Sequence, residues 1–101
     1  MPDSKYDQRQ YGLMLERLDA FERGEIRMHR LIDDLDGLLH AVKKVDRVWK
    51  NAFLELWGDL EIIRALALES GIRVLSPEET RSAHEVARQI KALVLNKIDA
   101  R

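Results

Sequence analysis

Residues 27–70 read RMHRLIDDLDGLLHAVKKVDRVWKNAFLELWGDLEIIRALALES. Apolar side chains return every three or four positions along this stretch, the spacing of a helix face, and no part of it alternates as a strand. Met28, Leu35, Val42, Trp49, Leu56 and Ile63 also recur every seven residues. Two architectures compete for that pattern. One unbroken helix over 27–70 would be about 65 Å long, and it could bury its stripe only against a second chain, as a coiled coil. A break near Lys44–Asp46 instead gives two helices of one bundle. Asp46 is a good N-cap. Lys43 and Lys44 suit a helix C-terminus. The second half is apolar over too wide an arc for a two-stranded seam. The break is the preferred reading.

The flanking sequence supplies two more helices. The spacing predicts one over about 5–23, with Tyr11, Met14, Leu15, Leu18 and Phe21 as its inner stripe. Ser4 is placed as its cap, Asp7 stands three residues later, and Gly24 is placed to end it in a left-handed turn. Another is predicted over about 77–97. Ser76-Pro77-Glu78-Glu79 puts a hydroxyl at the cap, proline at the first helical position and glutamate at the third. Ala83, Val86, Ala87, Ile90, Leu93 and Val94 then face inward. Within the central stretch the helices are expected over about 27–43 and 47–70, with Gly71 as the stop of the latter. Its stripe runs from Val48 and Trp49 to Leu66 and Ala67, widened by Leu54, Ile62 and Leu68, the pattern of a central helix. The expected fold is all-α: one domain over 1–101, a compact antiparallel bundle of about four helices.

Composition narrows the function classes. The 101 residues carry 17 Lys+Arg against 18 Asp+Glu, a net charge of −1, and no cysteine. Disulfides, Cys-ligated zinc and thiol catalysis are therefore excluded. No apolar run approaches a membrane span. Met1 to Gln10 is polar and charged, unlike a secretory signal. A near-neutral chain is not drawn to nucleic acid by bulk charge.

No catalytic signature emerges. Ser82 and His84 point apart on a helix, and there is neither a Gly-rich phosphate loop nor a Gly-x-Ser-x-Gly turn. His29, Asp33, Asp36 and His40 share a helix face. They spread over roughly 16 Å, so one ion could use only an adjacent pair. The expectation is no metal and no cofactor. Arg81, His84, Arg88, Lys91 and Lys97 give the last helix a basic stripe, diluted by Glu78, Glu79 and Glu85. Trp49, Phe53 and Trp57 lie one turn apart, the spacing of core aromatics. Gly37 and Gly58 sit inside helices, where they either admit a close helix crossing or mark a kink.

The most suggestive surface feature is acidic. Asp33, Asp34 and Asp36 fall within four residues, and Glu55, Asp59 and Glu61 decorate the outer side of the next helix. If those helices are neighbours, the six carboxylates are candidates for one negative patch that suits a basic partner. The bland alternative is solubility alone.

Several motifs resemble a known group. Phe21-Glu22-x-Gly24-x-Ile26, Leu31-Ile32-x-Asp34-Leu35-x-x-Leu38-Leu39, Val45-Asp46-x-x-Trp49-x-x-x-Phe53 and Trp57-Gly58-x-Leu60-Glu61 are similar to small helical immunity proteins of bacterial contact-dependent growth inhibition and other polymorphic-toxin systems. The similarity runs from about Tyr11 to Leu95. It implies a cytoplasmic protein that is not an enzyme. Such a protein binds the C-terminal toxin domain of a cognate delivery protein, often a nuclease, and occludes its active site. Two rivals remain. One is a self-associating structural or regulatory module, a homodimer built on the heptad. The other is a DNA-binding regulator using the last helix.

Overall fold

A computed structural model describes residues 5–69 and 75–98. Four helices follow in order: α1 (Lys5–Glu22), α2 (Met28–Ala41), α3 (Arg47–Glu69) and α4 (Pro77–Lys97). Among the described residues there is no strand. α1 packs on α2 and α4, and α3 packs on the same two helices, so α1 and α3 lie on opposite corners of a ring. Every neighbouring pair is antiparallel. Asp7 meets the end of α2, Trp49 near the start of α3 meets Leu93 near the end of α4, and Gln8 in α1 meets Lys97. The longest dimension is 47 Å, too short for one helix of about 65 Å. The expected antiparallel four-helix bundle is what forms.

Local chemistry sets most boundaries. Gly24 takes φ 77°, its N–H donates to Phe21 O, and Glu25 N–H donates to Ala20 O. That pair of bonds is a Schellman motif, and the positive φ suits glycine. The Ser76 hydroxyl accepts from Glu79 N–H while the Glu79 carboxylate accepts from Ser76 N–H, closing the capping box. Asp46 Oδ1 accepts from Trp49 N–H at 2.7 Å and caps α3. Ser4 and Gly71, expected as the cap of α1 and the stop of α3, lie outside the described residues.

The break between α2 and α3 has a cause that the local sequence did not carry. Asp7 of α1 is fully buried. Its Oδ1 accepts from Lys43 N–H at 2.9 Å and its Oδ2 from Lys44 N–H at 3.1 Å. Those two amides would otherwise continue the ladder of α2. A carboxylate gives each of them a charge-assisted bond instead, and α2 ends at Ala41, two residues earlier than its expected end.

The core runs through all four helices. Tyr11, Met14, Leu31, Ile32, Leu35, Phe53, Leu60, Ala83, Ile90 and Val94 are all fully buried. Tyr11 meets Trp49 edge to face at 5.5 Å. The reading of α3 as the central helix needs correction. Trp49, Phe53, Leu60 and Ala67 form its buried line, but Val48 is 81% exposed and Leu66 54%. Ile62 and Leu68 are exposed as well. α3 packs along its length on α2 and α4 and meets α1 at Trp49, so only part of its circumference is covered.

Gly37 and Gly58 are also corrected. A Cβ at either would meet nothing within 4 Å, so neither sits at a close helix crossing. Both α2 and α3 continue through their glycine without interruption.

Candidate functional site

The six carboxylates singled out in the sequence fall into three settings. Asp33 on α2 and Glu61 on α3 share one guanidinium. Arg64 places Nη1 3.4 Å from Asp33 and Nη2 2.7 Å from Glu61. The bridge ties the two helices together and neutralises part of the charge expected there. Arg64 reaches Glu61 because they are one turn apart, and it reaches Asp33 because α3 runs beside α2.

Asp34 faces the other way, towards α1. It lies 3.5 Å from Arg30 Nε and 3.8 Å from Arg17 Nε. Around it opens a groove of roughly 340 Å³ between α1 and α2, with Leu13 and Leu38 beside Arg17, Arg30 and Asp33. Asp36 stands 3.3 Å from His40 Nδ1, one turn along the same helix.

Glu55 and Asp59 differ from the rest. Both are exposed on α3, one turn apart, and neither pairs with a basic group among the described residues. The six acids therefore do not form one uniform field. Asp33 and Glu61 converge at a salt-bridged seam, Asp34 and Asp36 lie along α2, and Glu55 and Asp59 project from α3 into solvent.

The other candidate constellations have structural employment. The Trp49 indole N–H donates to Leu93 O at 2.9 Å, and the Trp57 indole N–H donates to Ile32 O at 2.9 Å. The aromatic row of α3 thus fastens that helix to α4 on one side and to α2 on the other. The basic stripe of α4 is partly consumed. Lys91 pairs with Asp19 at 2.8 Å and lies 3.6 Å from Glu22, and Asp19 holds its ammonium pKa above the usual value. Lys97 pairs with Asp46 at 2.8 Å, and its ammonium also lies over the Trp49 ring. His84 stacks on Phe21 with centroids 4.4 Å apart. Arg81 and Arg88 stay exposed.

Asp46 links two of these features. Its hydrogen bond with Lys97 and the Trp49 N–H hold its carboxyl below the usual carboxylate range. Among the described residues, no three His, Asp or Glu side chains are grouped to hold a metal ion. No helix there is long and apolar enough to cross a membrane.

The roles of two residues that join the helices escaped the sequence reading. Arg64 bridges α2 to α3, and nothing in its local sequence announces a partner 31 positions away. Asp7 did leave a signal. Continuing the stripe of Tyr11, Met14, Leu18 and Phe21 backwards by one turn reaches Asp7, a carboxylate in core register. Compared with protein-family models, curated proteins and solved structures, the chain matches none.

Proposed function

We propose that this chain is a cytoplasmic immunity protein that binds a cognate toxin domain, a nuclease, and blocks its active site. The observation that carries the reading is the pair of exposed carboxylates, Glu55 and Asp59, held one turn apart on a helix fixed at both flanks by indole hydrogen bonds. A nuclease attracts phosphate, so its cleft is basic. Rigidly placed carboxylates can occupy such a cleft and speed encounter with it. Asp33, Asp36 and Glu61 add acidic groups on α2 and the neighbouring turn of α3, partly offset by Arg64, while Asp34 is turned towards α1. The bland alternative, acids that serve solubility alone, makes a different prediction about charge reversal.

The test is co-purification with a candidate toxin domain encoded by a neighbouring gene, followed by reversal of Asp33, Asp36, Asp59 and Glu61 to lysine. Loss of binding with Tm unchanged supports the acidic mechanism. Unchanged nanomolar binding by the fourfold variant removes that mechanism while leaving inhibition by another face intact. A self-associating helical module is the second reading, favoured by the exposure of Ile62 and Leu66 on α3. Sedimentation separates the two: an obligate dimer supports the module, and a monomer supports the inhibitor.

A further inference from the structure

We infer that the outward face of α3 is a docking surface for a cationic amphipathic helix of a partner protein, which lies closest to the backbone at Gly58. This deepens the inhibitor reading, resting on it only for the identity of the partner. Glu55, Gly58, Asp59, Ile62, Ala65 and Leu66 follow one another at steps of three or four residues. On a helix such a series occupies a single face. It lies opposite the buried line of Trp49, Phe53, Leu60 and Ala67.

Three independent features coincide on that face. Ile62 is 57% and Leu66 54% exposed, and Ala65 is exposed beside them. Singly exposed apolar residues are ordinary, but these three are contiguous and rimmed by acids, as at interaction sites. Gly58 lies in the middle of the helix, where glycine is less favourable than alanine. A Cβ there would meet nothing within 4 Å, so no contact inside the protein requires its absence. A backbone left bare on the outer side is what a closely approaching second helix needs.

The charge decides the occupant. Beyond its first turn, which carries Arg47 and Lys50, α3 contains Glu55, Asp59, Glu61 and Glu69 against a single base, Arg64. Arg64 is already engaged by Asp33 and Glu61. A second copy docking through this same face would set the same acids against Glu55 and Asp59, and like charges across an interface are rejected. A helix with apolar side chains flanked by Lys or Arg satisfies both the apolar centre and the carboxylate rim.

The experiment uses the full chain and two synthetic 18-residue amphipathic peptides, one of Leu and Lys and one of Leu and Glu, titrated by fluorescence anisotropy. The Lys peptide should bind and the Glu peptide should not. Ile62→Glu and Gly58→Leu should each weaken the Lys peptide by about tenfold or more, the size of a central contact. Gly58→Leu should at the same time raise Tm, because leucine is the better helix former. Damage to the fold cannot produce that opposition of sign. Equal binding of both peptides, no binding of either, or full affinity in both variants overturns the inference. So does a wild-type dimer that Ile62→Glu dissociates, which assigns the face to a second copy. If the Lys peptide behaves as expected while no toxin domain encoded by a neighbouring gene binds, the surface stands and the immunity reading falls.

Discussion

Removing the Asp7 carboxylate tests what ends α2. In Asp7→Ala the amides of Lys43 and Lys44 lose acceptors at 2.9 and 3.1 Å. A hydrogen bond to a charged group contributes about 1.5–3 kcal/mol. Two such bonds set a range of roughly 3–6 kcal/mol. The lower part of that range applies, because the bonds are only part-buried and water reaches the freed amides, so about 3–4 kcal/mol is expected. A domain of this size holds about 5–15 kcal/mol in total, so the loss is a large share of it. Urea melts followed by tryptophan fluorescence measure it, since Trp49 and Trp57 sit on α3 between its neighbours. Asp7→Asn keeps one oxygen but sets an amide N–H₂ against a backbone N–H, and it should lose an intermediate amount. A second readout is specific to the break. With both Asp7 and Asp46 changed to alanine, the segment over 42–46 loses its anchor and its cap. Sedimentation should then show a longer, self-associating species. An unfolding free energy in Asp7→Ala within about 0.5 kcal/mol of wild type, the spread of ordinary surface changes, would refute the anchoring role.

Three further outcomes follow from other contacts. Gly37→Ala should stabilise by about 0.5–1 kcal/mol, since a Cβ there meets open space and the helix gains the better residue; thermal melts will show it. Ser76→Ala should cost about 1 kcal/mol by undoing the capping box, and hydrogen exchange should rise first at Glu79 and Thr80. The third outcome concerns acid. Asp46 keeps its proton off to a lower pH when folded than when unfolded, because Lys97 and the Trp49 N–H favour the carboxylate. Its stabilising contribution is therefore complete above its unfolded value, about 4, and is lost as the pH falls through the lower folded value. Urea midpoints of Asp46→Asn against wild type should converge as the pH is taken below about 4.

The parts of the fold written in local chemistry were legible in advance. Gly24, Asp46 and the run Ser76–Glu79 each act on backbone groups within a few residues, so sequence alone places them. The four helices follow from apolar spacing for the same reason. What stayed hidden depends on which helix lies beside which. Asp7 looked like a first-turn acid of α1, yet it serves a turn 36 residues away. The exposure of Val48 and Leu66 was hidden because hydropathy reports how wide an apolar arc is, not how many neighbours cover it. At the acidic surface, the residue types were legible but their pairing was not. Arg64 takes Asp33 and Glu61 out of the free set by reaching across a helix seam, a distance that no spacing rule measures.

Three of the four seams join helices that are consecutive in the chain, while the fourth brings α1 against α4. Its contacts include the Gln8 side-chain amide on Lys97 O, across 89 residues. Local hairpins form quickly, whereas the last seam must wait for nearly the whole chain to close on itself. During that wait α4 offers an apolar side to any α1 within reach, its own or that of another molecule. Dilution favours the chain's own helix. Refolding at high concentration favours exchange, and the product is a swapped dimer in which the α1–α2 hairpin of one copy packs on the α3–α4 hairpin of the other.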